Sequence, residues 1–200
     1  MTGRAVAIWG ALICIIGVAI AAAALSPLLA WREPIYILAG LAGIVGLALM
    51  LFQPLLAGGY LPGISLGSAR RIHRYIGAIL VVSVLLHVVA LWITSPPDVA
   101  DVLLFRSPAP FSIWGAVAMW AIFFAGLLAV FRRRVALQVW RKCHSVLVIV
   151  AVVGTVIHAL LIEGTMEMVS KTILCAAVAL ALVKVLNDRG FWTIVGLQRR

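Results

Sequence analysis

The chain has 200 residues, 65% of them hydrophobic and 11% charged, with a formal net charge of +10 and a mean hydropathy of +1.20. A soluble domain carries about 25% charged residues, so this composition cannot cover a water-facing surface and describes an integral membrane protein. The positive charge does not point to nucleic acid, because the basic residues cluster at the ends of apolar runs, where membrane topology places them, and no stretch between the runs is long enough for a soluble binding domain.

The apolar runs are long and lack period-two alternation, which selects membrane helices over a β-barrel. The first, Ala5–Leu25, is expected to be a retained helix rather than a cleaved leader, since it is long enough to span. The connector Ser26–Pro34 carries Trp31 at the depth of the membrane interface. The second run, Ile35–Leu56, holds Gly40, Gly43 and Gly46, read as close-packing positions ahead of room for a flat ligand, and ends at Gln53-Pro54 before a turn-rich loop. The third is the histidine-bearing stretch Arg70–Trp92. A long connector follows, whose segment Val99–Phe105 is expected to form a short interfacial helix.

The fourth run, Phe111–Phe131, is rich in Trp and Phe and ends at Arg132-Arg133-Arg134. The fifth, Val139–Ile162, carries the other two histidines. A tight turn, Glu163–Glu167, leads to the sixth, Met168–Leu186, where Lys171 and Lys184 are expected to snorkel to the interfaces. The tail from Asn187 is expected to lie at the interface. Cys14, Cys143 and Cys175 form no CxxC pair and are read as small packing residues.

Six spans put both termini on one side. Arg4, Arg70, Arg71, Arg74, Arg132, Arg133, Arg134, Arg141, Lys142, Lys184, Arg189, Arg199 and Arg200 fall on that side, and Arg32, Arg106 and Lys171 on the other. That split predicts cytoplasmic termini.

The protein has four histidines, His73, His87, His144 and His158. Each pair is 14 residues apart on one helix, about 40° short of four full turns, so both imidazoles lie on nearly one face and about 21 Å apart along the axis. The two helices run parallel, so His73 and His144 share an inner layer, and His87 and His158 an outer one. Arg70-Arg71 precede His73 as Arg141-Lys142 precede His144, a weak internal repeat of a helix pair. Two histidines per layer under-ligate zinc, which takes four donors, whereas a haem brings four equatorial nitrogens and asks the protein for two axial ones. The expected fold is therefore an all-α bundle of six transmembrane helices binding two stacked b-type haems, with the four histidines as axial ligands of the haem irons. No CxxCH motif is present, so attachment is expected to be non-covalent.

Arg71, Arg74 and Arg141 are placed to contact the inner haem's propionates, although each also serves as a positive-inside anchor. Arg106 is the candidate at the outer haem. Tyr75 and Trp140 are read as interface-belt aromatics rather than redox relays. Other uses of the histidines, as proton carriers or scaffold contacts, lack an intramembrane Asp or Glu to partner them.

The stretches LGSARRIHRYIGAILVVSVLLH and WRKCHSVLVIVAVVGTVIH resemble the ferric-reductase-like transmembrane domain. This domain is shared by ferric reductases, the membrane core of NADPH oxidases, and the haem-bearing membrane subunit of a bacterial periplasmic methionine sulfoxide reductase system. The resemblance covers about residues 31–187 of a single transmembrane domain spanning 1–200. It implies that His73, His87, His144 and His158 ligate haem and that electrons move outward through two haems. A counterpart of the cytoplasmic flavin and nicotinamide domain that ferric reductases and NADPH oxidases usually carry is not expected in this chain. The expectation is a stand-alone haem module in a bacterial inner or plasma membrane, fed by a separate flavoprotein or by quinol. It would deliver electrons to an extracytoplasmic acceptor protein, or act itself as a terminal reductase of a ferric chelate.

Overall fold

The computed structural model describes residues 2–164 and 166–188. Among these the protein is all-helical, with no strand. Six helices are long and apolar enough to cross a membrane: α1 (Gly3–Ala24), α2 (Pro34–Gly58), α3 (Leu66–Thr94), α5 (Pro110–Val130), α6 (Leu137–Leu161) and α7 (Met168–Asp188). The short α4 (Pro96–Leu103) lies in the long connector, close to the segment where a short helix was expected. Most of the tail lies outside the described residues.

Local signals set the helix ends and thereby the phase of the histidines. Pro34 opens α2 at a position where its missing N–H costs nothing. Gly59 ends it in the left-handed region (φ 72°), with the Gly59 and Tyr60 amides donating back to Leu56 and Leu55, an arrangement that glycine adopts without steric penalty. Ser65 then caps α3, its hydroxyl oxygen accepting from the Ser68 amide at 3.2 Å. The third span therefore starts four residues before Arg70, and its first basic turn is fully helical.

The helices pack as two close pairs, α2 with α3 and α5 with α6, and α7 fills the space against α2, α6 and α1. Small residues make the approach possible, as expected where lipid supplies no hydrophobic drive between helices. A Cβ on Gly154 of α6 would lie 3.0 Å from the Trp114 carbonyl oxygen of α5, and one on Gly46 of α2 would touch Leu80 and Ser83 of α3. Leu174, Cys175 and Val178 of α7 are fully buried, so Cys175 is the packing residue expected, whereas Cys14 and Cys143 are exposed. Ile79, Val82, Leu86 and Val89 of α3 face outward, the apolar surface that a lipid-facing helix presents.

Two polar contacts tie the loops to the bundle. The Trp9 indole donates to the Pro62 carbonyl at 3.2 Å, and the Tyr60 hydroxyl donates to Asp188, which also pairs with Lys184 at 2.9 Å. Lys171 departs from expectation. It does not snorkel: it is 3% exposed, and its ammonium donates at 2.7 Å to the Ile162 carbonyl at the end of α6. A helix C-terminus presents unpaired carbonyls and partial negative charge, which a nearby cation satisfies.

Glu167 caps α7, its two carboxylate oxygens each accepting a backbone amide, from Val169 and Ser170, at 2.8 Å. These bonds favour the ionised form and hold its carboxyl below the usual carboxylate range. A lowered folded-state pKa means stability that is present above the unfolded pKa and lost as pH falls through the folded one. Glu167→Gln should therefore lower the thermal midpoint in detergent at neutral pH, with the gap to wild type closing in acid. A gap independent of pH would contradict the cap.

Candidate cofactor site

Three of the four histidines are anchored in one way, by an Nδ1–H donated to a main-chain carbonyl of the neighbouring helix. His87 on α3 donates to Ala39 on α2 at 2.7 Å, and His158 on α6 to Phe111 on α5 at 2.8 Å. His73 donates to Gln53 on α2 at 3.2 Å. A carbonyl oxygen only accepts, so Nδ1 carries the proton in each, and the neutral ring keeps its lone pair on Nε2. That is the state in which an imidazole binds a metal, with its second nitrogen held by an outer partner.

Glycine makes room for the outer rings. A Cβ on Gly43 would lie 3.1 Å from His87 Nδ1, and one on Gly115 only 2.6 Å from His158 Nδ1. Gly43 follows Ala39 by four residues, as Gly115 follows Phe111, so each carbonyl and its glycine form a seat one helical turn long. The inner ring of His73 is held differently. The Gln53 side-chain amide donates to the His73 carbonyl at 3.4 Å while the Gln53 carbonyl receives the His73 ring, a reciprocal clamp. Gly77, one turn beyond His73, leaves the surface that the Gln53 amide crosses.

The structure brings the two outer histidines together. The His87 and His158 rings lie with centroids 6.5 Å apart and planes at 82°. With metal–nitrogen bonds of about 2 Å, and about 1 Å from ring nitrogen to centroid, two imidazoles on opposite sides of one ion have centroids about 6 Å apart. The helices that carry the rings are not a close-packed pair: α3 rests on α2 and α6 on α5. Among the described residues no three His, Cys, Asp or Glu side chains gather. The donor set therefore fits a group that brings its own equatorial ligands and takes one axial nitrogen from each side.

Arg71, Arg74 and Arg141 are exposed near the inner layer and make no ion pair among the described residues. Tyr75 is exposed, as an interface residue is. Trp140 was read the same way, but its ring stacks on His144. Gln53, the two glycine seats and Trp140 are the parts that the sequence did not reveal.

A family model described as ferric reductase like transmembrane component matches residues 42–155. The chain belongs to this family. The match runs from α2 into α6 and takes in His73, His87 and His144 of this ferric-reductase-like protein, while His158 lies just beyond its end. No curated protein and no solved structure matches. Membership makes transmembrane electron transfer the function class.

Gly115→Ala forces the His158 ring or the α5–α6 spacing to yield, an overpacking that costs about 1–3 kcal/mol. Gly43→Ala, with the longer approach, should cost less. Thermal unfolding in detergent should rank wild type above Gly43→Ala and Gly43→Ala above Gly115→Ala; a Gly115→Ala midpoint equal to wild type would contradict the seat.

Proposed function

We propose that this protein carries electrons across the membrane through two non-covalent b-type haems, the inner one held by His73 and His144 and the outer one by His87 and His158. The observation that supports it most is the outer pair: two imidazoles, 6.5 Å apart, each with Nδ1 tied to a carbonyl and Nε2 left to bind. A haem supplies one-electron iron chemistry and four equatorial nitrogens, leaving two axial positions for the protein to fill.

The chain's own residues do the rest. The Ala39, Phe111 and Gln53 carbonyls fix the tautomer and stop the rings from turning. Arg71, Arg74 and Arg141, exposed on the helices that carry His73 and His144, would offer positive charge to the propionates of an inner haem. The distribution of basic residues supports cytoplasmic termini in a bacterial inner or plasma membrane, and electrons then travel from His73 and His144 towards His87 and His158. The donor in this reading is a separate flavoprotein or a quinol, and the acceptor an extracytoplasmic protein or a ferric chelate. Residues 1–200 act as a single transmembrane domain.

Purified protein should give a b-type reduced-minus-oxidised spectrum. In proteoliposomes it should reduce a trapped, membrane-impermeant ferric chelate from an external reductant. His87→Ala should remove the outer centre, keep most of the inner one and slow that transfer at least tenfold, about 1.4 kcal/mol or more in the rate-limiting barrier. A wild-type protein without haem absorbance would overturn the reading.

A further inference from the structure

The α2–α3 and α5–α6 pairs repeat one another at the outer layer. Ala39, Gly43 and His87 correspond to Phe111, Gly115 and His158, with the same carbonyl bond and the same glycine seat. At the inner layer the repeat breaks. The counterpart of Gln53 on α5 is Ala125, and no bond from His144 reaches that helix. His144 Nδ1 is the one buried side-chain nitrogen or oxygen among the described residues without a hydrogen-bond partner.

Another contact holds this ring. Trp140, one helical turn earlier on α6, lies parallel to it with centroids 5.0 Å apart and planes at 9°. The indole is itself fixed, its Nε1–H donating to the Leu128 carbonyl of α5 at 3.3 Å. Arg132, in the basic turn after α5, places its guanidinium carbon 5.1 Å from the Trp140 ring centre. Arg132, Trp140 and His144 thus form a column from the exposed inner end of the bundle to the histidine.

We infer that Trp140 is the positioning residue for His144, orienting by stacking the one imidazole that has no carbonyl to hold it. This rests on the haem reading above. Stacking fixes the plane of a ring but neither pins its Nδ1 proton nor raises its basicity, as a hydrogen bond does. His144 is therefore the weakest electron donor of the four ligands. The inner centre should have the higher midpoint potential of the two and should be the one that answers to changes at Trp140.

The test uses the full-length haem-loaded protein, read by electron paramagnetic resonance and by redox titration of the haem absorbance. Trp140→Leu removes the stacking surface, and should convert most of the inner low-spin signal to high-spin while the outer signal stays as it is. Trp140→Phe keeps a stacking ring without the indole anchor, and should retain the low-spin inner centre. Arg132→Gln keeps the stack, and should preserve the spectrum while lowering the inner midpoint.

A wild-type protein without two low-spin centres defeats the haem reading itself. Two such centres in wild type, with the inner one unaltered by Trp140→Leu, overturns the role of Trp140. Should Trp140→Leu lose both centres, Trp140→Phe decides: an intact inner centre supports positioning, and its loss overturns it.

Discussion

An imidazole that must offer one nitrogen to a cofactor inside a membrane has a second nitrogen to satisfy, and no water is there to do it. The bundle meets this constraint with main-chain carbonyls. A helical carbonyl already accepts one amide but keeps a second lone pair, and His73, His87 and His158 each use such an oxygen on the adjacent helix. Much of the architecture follows. The partner helix has to come close enough for a ring nitrogen to reach its backbone, which requires glycine under the outer rings and explains why α2–α3 and α5–α6 are the tight pairs. The histidine helices are left facing one another across the bundle without packing together.

The anchors also fix the order of strength among the four rings. The outer pair is symmetric, with bonds of 2.7 and 2.8 Å from the same seat. The inner pair is not: His73 is clamped from two directions by Gln53, and His144 has only the face of Trp140. A buried donor or acceptor without a partner costs about 1–3 kcal/mol, and an aromatic pair returns about 0.5–1.5 kcal/mol. The two are of similar size, so His144 is held by a contact different in kind from the carbonyl bonds of the other three rings.

The spans and the outer histidine pair were legible because they rest on side-chain identity and helical period. Apolar runs of spanning length can only be helices here, and a spacing of 14 residues fixes the face. The seats were hidden for the opposite reason. Ala39 and Phe111 contribute a carbonyl, which every residue has, so nothing in their identity betrays the role. Gly43 stood in a run that also contained Gly40 and Gly46, and only the parallel with Gly115 separates it from a packing glycine. Both lie four residues after an anchoring carbonyl, and the glycines are 72 residues apart where the histidines are 71 apart. Trp140 looked like any aromatic at a membrane interface; that it lies one turn before His144 was visible, but the orientation of its ring was not. Lys171 misled because a lysine near a span end normally reaches for water, and here a free helix terminus was nearer.

The most direct measurement is the haem content of quantified, purified protein by the pyridine haemochrome assay, in wild type and in His87→Ala. Two extractable b-type haems per chain, falling to one in the variant, is the result that four histidines in two anchored layers require. A single haem in wild type, or a variant that still holds two, would contradict the pairing of His73 with His144 and of His87 with His158.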